Sequence, residues 1–246
     1  MEKILAWENH KKARVRRTLC ATGCVLGVAA YSFSASASVL YPGPFVGSTV
    51  TYSNVIESSG QGDPSPLFGE PVVVSGNQLS FDPEQFAFSV DAPPADTTDG
   101  ALSFVITSNS SDPIPGIVVS ESGDYSLFGF PTGTEGVASI LSVTVTDLSN
   151  PSNEIQAFSA FIEVFDDPPF EGVFWENEVV IDLSSFGTTE VEVVLNNTLQ
   201  AVGDLGVPVT TFIRKKDFDV DIIPEPSSAI LIAVGAGLMA ARRRRG

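Results

Sequence analysis

Along residues 172–183, GVFWENEVVIDL, apolar and polar positions alternate. Val173, Trp175, Val179, Ile181 and Leu183 share one parity, and Glu176, Glu178 and Asp182 the other. A period of two is that of a strand with one face buried and the other in water, so these acids read as a solvated face. The same alternation sets Phe86, Phe88 and Val90 against Gln85, Ala87 and Ser89, and Leu102, Phe104 and Ile106 against Ser103, Val105 and Thr107. It recurs over 49–57, 137–147, 155–165, 189–195 and 207–220, with shorter runs at 72–75, 117–121 and 125–130. Turn formers separate the runs: Gly60-Gln61-Gly62-Asp63-Pro64, Ala92-Pro93-Pro94, Ser110-Ser111-Asp112-Pro113, Ser149-Asn150-Pro151 and Asp166-Asp167-Pro168-Pro169. Residues 191–202 read either as a helix or, because of Asn196-Asn197-Thr198, as a loop. Many short strands, with no amphipathic helix and no repeat of fixed period, predict an all-β chain: an antiparallel β-sandwich of jelly-roll-like type.

Charge divides the chain in three. The formal net charge is -17, yet ten of the thirteen Lys and Arg lie near the termini, Lys3 to Arg17 at one end and Arg242 to Arg245 at the other. Residues 38–223 keep only Arg214, Lys215 and Lys216 against 27 acids, a balance of -24. Such a body repels nucleic acid and anionic headgroups; cations and neutral sugars are the compatible partners.

At the start, basic residues from Lys11 to Arg17 precede an apolar, small-residue run over 19–33, and Ala35-Ser36-Ala37 supplies the small side chains that a signal peptidase accepts. Cleavage before Ser38 is expected, giving a signal peptide over 1–37. As an uncleaved anchor, the run of 15 residues spans roughly 22 Å as a helix, short of a hydrocarbon core of about 30 Å. Arg16-Arg17 as a twin-arginine signal and Cys24 as a lipidation site are weaker readings. Cys20, Cys24 and the sole histidine, His10, all precede the cleavage point. The body therefore lacks a Ser-His-Asp triad, a cysteine nucleophile, a thiolate or imidazole zinc site and a disulfide. At about 185 residues it is long enough to bury one substantial core.

At the other end, Pro224-Glu225-Pro226 is followed by an apolar stretch, 229–241, and then Arg242, Arg243, Arg244 and Arg245. Thirteen residues make about 20 Å of helix, marginal for spanning unless the arginine stems reach the far surface. The arginines favour a cytoplasmic C-terminus. This order of features resembles the PEP-CTERM sorting signal of Gram-negative bacteria. The resemblance covers 224–246 and implies an exosortase, a multipass membrane protease or transpeptidase, as a transient partner at the inner membrane. It also implies a host that makes exopolysaccharide and a destination at the cell surface or in the extracellular matrix. The organisation expected is thus a signal peptide, an acidic sandwich over 38–223, and a sorting signal.

Within the body, three chemistries have candidates. Glu176 and Glu178, about 7 Å apart on one strand face, fall in the range that an inverting glycosidase uses, although any alternating strand gives that spacing and the expectation is no catalytic site. Asp217-x-Asp219-x-Asp221 begins like a calcium loop, but Ile222 stands where a glycine is required and Ser228 where an acid would close it. Looser calcium binding by the loop acids Asp96, Asp99, Asp166 and Asp167 stays open, with no cofactor and no defined metal site expected. For sugars, Trp175, Tyr41, Tyr52 and Tyr125 are the aromatic candidates; Trp175 and most phenylalanines lie on the apolar register and read as core. Asn109 and Asn196 begin short glycosylation sequons. The reading that follows is a non-enzymatic exported surface or matrix protein, with a carbohydrate- or calcium-binding module as the alternative and a carboxylate glycosidase as the least favoured.

Overall fold

In the computed structural model, strand alternation closes into two sheets. It describes residues 37–223 apart from 61–62, 64–65, 84–85, 91–94, 167–168 and 204–208. The residues proposed for the sorting motif, Pro224 to Pro226 and Arg242 to Arg245, lie outside that range, as does Ala35; Ala37 and Ser38 open the first strand.

The strands are β1 (Ala37–Tyr41), β2 (Phe45–Val46), β3 (Val50–Ser59), β4 (Val72–Ser75), β5 (Gln78–Phe81), β6 (Ala87–Val90), β7 (Ala95–Ser108), β8 (Gly116–Phe128), β9 (Gly136–Asp147), β10 (Glu154–Val164), β11 (Phe170–Asp182), β12 (Glu190–Val202) and β13 (Thr210–Ile222). Sheet A runs β1-β3-β7-β12-β9-β10, with β2 on β3; sheet B runs β11-β8-β13-β5-β4, with β6 on β13. Every pairing is antiparallel. The long strands pair in nested fashion: β9 with β10, outside them β8 with β11, then β7 with β12, and outermost β13 with β5 and β6. Successive pairs alternate between the sheets, so the chain is an antiparallel β-sandwich.

One parity of each strand fills the space between sheets. Leu102, Phe104 and Ile106 of β7, Val191, Val193 and Leu195 of β12, and Ile117 and Val119 of β8 are all buried there. Trp175 is 1% exposed. It stacks on Phe161 at 5.8 Å, and its indole N–H donates to the Arg214 carbonyl at 3.1 Å. That places Trp175 in the core and removes it from the sugar-binding candidates. Tyr41, Tyr52 and Tyr125 are buried as well.

Three local expectations are corrected. Residues 191–202 are neither helix nor loop; they continue β12, paired on both sides with β7 and β9. The short runs at 117–121 and 125–130 are one strand, β8, passing straight through Ser122-Gly123-Asp124. Asp96 and Asp99 are not loop acids but lie in β7, where Asp99 accepts the Thr198 hydroxyl at 2.5 Å.

Buried acids fasten the connections. Asp147, 1% exposed, accepts the Ser149 hydroxyl at 2.7 Å and amide at 2.8 Å and the Asn153 amide at 3.2 Å, holding the β9–β10 turn. These donors, Ser149 foremost, pull its carboxyl down to about 2 despite its burial. A folded value below the unfolded value of about 3.9 adds stability that is full above that value and is lost as the pH falls toward 2. An Asp147→Asn variant is therefore expected to be less stable at neutral pH, with a flatter decline between about pH 4 and 2. Urea denaturation across that interval checks it; parallel wild-type and variant curves would refute it.

Candidate functional site

The neighbouring strands β8 and β13 carry a buried polar network on their inner side and rows of acids on their outer side, and an acidic groove opens beside them between β11 and β10. Inside, the Lys215 ammonium and the Glu121 carboxylate, both fully buried at the side chain, meet at 2.7 Å. Lys215 also donates to Asn197 Oδ1 at 2.6 Å. Glu121 accepts from Ser139 at 2.5 Å, Asn177 at 3.1 Å and Asn197 at 2.7 Å. The network thus ties β8, β11 and β13 of sheet B to β9 and β12 of sheet A. The rings of Phe86, Phe218 and Phe68 surround the ammonium, with Nζ 4.3, 4.8 and 5.0 Å from their centroids. Phe68 is itself held by Glu57, which accepts the Leu67 and Phe68 amides and the Tyr41 hydroxyl. Burial first, and then the Glu57 carboxylate, push the Tyr41 phenol far up.

A bulge in β13 between Lys215 and Asp217 inserts Lys216 and lets Lys215 and Phe218 both face inward. Lys216 and Arg214 turn outward onto Asp124. Arg214 makes a two-toothed contact at 2.7 and 3.0 Å, and Lys216 forms a second ion pair. Burial favours a protonated Asp124, but the two cations outweigh it and leave the carboxyl lowered. All three basic residues of the body are thereby engaged in ion pairs, and the outer face of sheet B is left to its acids.

Beyond that cluster, register sets acids in rows across sheet B. Glu176 pairs with Ser122 and Ser122 with Asp217; Glu178 pairs with Ser120, Ser120 with Asp219, and Asp219 with Ser80. Ser122 donates to Asp217 at 3.1 Å and Ser80 donates to Asp219. With Phe174, 63% exposed beside Asp124, the two rows apart from Ser80 line a groove of about 580 Å³, which Ser159, Ala160 and Phe161 of β10 border on the other side and Glu121 and Asn177 from within. It offers hydroxyls and carboxylates from four strands, β8, β10, β11 and β13, and one exposed ring. Glu176, Glu178, Asp182, Glu190, Glu192, Asp217 and Asp221 are exposed, as their parity implies.

For the other candidates the structure is less generous. Glu176 and Glu178 do sit side by side in the groove, but both are open to water, without the apolar enclosure that sets a general acid apart from its partner. Asp217, Asp219 and Asp221 lie on strand β13 and not in a loop. Among the described residues, no three Asp, Glu, His or Cys side chains converge to hold a metal ion, and no helix is long and apolar enough to cross a membrane. Asp166 is exposed, and Asp167 lies outside the described residues. Sequence reasoning missed Glu121, Asn177 and Lys215, although each is a polar residue on the apolar parity of its strand.

No known protein-family profile matches the chain, and no curated protein matches it. Among solved structures it is similar to the xylan-binding module CBM15, at 12% identity and TM-score 0.23 over 56% of this chain and 97% of that one. It is also similar to the glycoside hydrolase domain of Endo-D from Streptococcus pneumoniae R6, at 13% identity and TM-score 0.20, covering 68% of this chain and 22% of that one. A chain of the IBDV viral particle matches at 12% identity and TM-score 0.21, over 70% and 49% of the two chains. Overlaps this slight leave the meaning of the groove to its own residues.

Proposed function

We propose that this chain is an exported, non-enzymatic surface or extracellular-matrix protein. Its signal peptide is removed before Ser38, its PEP-CTERM-like tail is processed by an exosortase, and its sandwich, of jelly-roll type, is the delivered body. The nested strand pairing supports the jelly-roll assignment. The observation that carries the non-catalytic reading is how the buried acids are used. Glu57, Glu121, Glu135 and Asp147 each accept several donors that hold loops or sheets together. Of the other acids that line the groove, Glu176, Glu178 and Asp217 are exposed and Asp219 is half-buried. Mass spectrometry of the mature protein from its host tests the delivery: Ser38 as first residue and a C-terminus trimmed within 224–246 are expected. Secreted protein that retains the whole tail would overturn it.

The groove supports a second reading, the binding of a neutral polysaccharide. Serine hydroxyls and carboxylates in two rows match sugar hydroxyls as donors and acceptors, and Phe174 gives one apolar surface to a pyranose ring. Uncompensated acids turn away anionic polymers. A neutral host polysaccharide is expected to raise the melting temperature of the protein, since it binds only the folded state. The rise is expected to vanish in Ser122→Lys and to shrink several-fold in Phe174→Ala. The same titration with calcium separates the calcium alternative, and no shift with the neutral polymer removes the sugar reading.

A further inference from the structure

Each sheet of a sandwich ends in strands whose outer N–H and C=O groups are open, and natural sheets protect such edges by shortness, bulges or charge. Three of the ends here are protected. β1 has five residues; β4 has four and a register shift between Val73 and Ser75; β11 is bulged between Phe170 and Val173 and presents Glu176, Glu178 and Asp182 outward. β10 is different. Its eleven residues pair with β9 in unbroken register and, among the described residues, with no other strand. Its outer face carries Phe158, Ile162 and Val164, 79%, 59% and 59% exposed, beside Ile140 of β9.

The polar groups of that edge can be assigned. The Asp147 amide donates to the Asn153 carbonyl at 3.0 Å, and the Phe165 amide to the Glu135 carbonyl at 2.8 Å, at the two ends of the β9–β10 ladder. Odd-numbered residues of β10 therefore bond to β9, and the even-numbered ones, Gln156, Phe158, Ala160 and Ile162, turn their N–H and C=O to the open edge.

From this we infer that β10 pairs antiparallel with β10 of a second copy, joining two seven-stranded sheets about a two-fold axis. Centred on Ser159, the pairing sets Phe158 opposite the partner's Ala160, large against small, and Gln156 opposite the partner's Ile162. The charges of the strand itself suit a second copy. β10 holds only Glu154 and Glu163, which lie on opposite faces because their separation is odd. In this register Glu154 faces the partner's Val164 and Glu163 faces the partner's Ile155, so no acid meets an acid. In a body of -24, the repulsion that opposes pairing comes from outside the strand, from groove acids such as Glu176 and Glu178. Ser159, Ala160 and Phe161 of β10 also line the groove, so a paired strand would close that side of it, and association measured without any polysaccharide reads the pairing by itself.

Sedimentation velocity on protein produced from the full sequence tests it, from about 1 to about 100 µM and at about 50 and about 500 mM NaCl. A monomer–dimer equilibrium is expected that tightens at the higher salt, because screening weakens the repulsion between acidic bodies. Ala160→Pro removes an N–H that β9 does not use and places a ring in the partner's path, while Ala160→Lys sets a charge there. Each is expected to weaken dimerisation at least about tenfold, or roughly 1.4 kcal/mol, with the melting temperature unchanged. Should Ala160→Pro lower the melting temperature, Ala160→Lys decides. A monomer under all conditions would overturn the inference. So would a dimer untouched by both variants, or association that continues past two copies, because a two-fold edge pairing uses up the edge it is built from.

Discussion

A Lys215→Met variant is expected to lose about 3–5 kcal/mol of folding stability, the cost of stranding a buried charge once its partner is removed. Methionine keeps the length of the stem and its packing among Phe68, Phe86 and Phe218, so volume is not at issue. What it removes is the ammonium at 2.7 Å from Glu121. The carboxylate keeps its donors from Ser139, Asn177 and Asn197 but has no counter-charge. Asn197 also loses the donor to its carbonyl oxygen. Burial pulls the Lys215 ammonium below the usual lysine range and Glu121 opposes that pull, so the pair is costly to keep even when complete. The double variant Glu121→Gln/Lys215→Met is accordingly expected to regain much of the loss. Denaturant titration of the two singles and the double measures the coupling; purely additive effects would mean that the pair is not a unit.

Gly123→Ala is the second large effect, expected at about 3 kcal/mol or more, the upper range for forcing an atom into a packed interior. A Cβ at this position would lie 1.9 Å from the Arg214 carbonyl oxygen and 2.9 Å from the Trp175 indole nitrogen. The obstacle is backbone, so relief requires β8 and β13 to part at the bulge that presents Lys215. The Trp175–Arg214 hydrogen bond would go with it. Gly172→Ala is the control: its φ is +67, but its Cβ would meet nothing within 4 Å, so only the left-handed backbone is penalised, by about 1–2 kcal/mol. Chemical denaturation followed by tryptophan fluorescence ranks the two variants. Equal losses would mean that the close approach at Gly123 is not what the fold depends on.

Why some of this was legible in the sequence, and some was not, follows from what each signal depends on. Strand β11 announced itself because one face meets water and the other the core, so Trp175 and Glu176 could be assigned opposite sides from parity alone. Strand β12 did not. Asn196, Asn197 and Thr198 favour turns locally, but Asn197 is buried on partners from three other strands, and tertiary contacts override the local preference. Ser122-Gly123-Asp124 misled in the same way, its glycine required by a strand 91 positions away in sequence and its aspartate by Arg214. Strand β10 is apolar on both parities, so no pattern could say that Phe161 turns inward and Phe158 outward. Glu121 and Lys215 were readable in principle, as opposite charges each on an apolar parity. The groove was not, because its rows join residues of β8, β11 and β13 through registers that only the folded sheet defines.

The nesting of the strands also bears on when the molecule becomes itself. The hydroxyl of Ser80 reaches Asp219 across 139 positions, and β8, β5 and β6 all depend on β13 for their place in sheet B. Contacts this distant along the chain make folding slow, since long loops must close before any of them is rewarded. β13 ends at Ile222, two residues before Pro224. A chain threaded N-terminus first through a narrow channel would hold its first two hundred residues in waiting, with sheet B unable to assemble until the last strand had emerged. The stretch after β13 is then the segment whose passage sets the moment of closure.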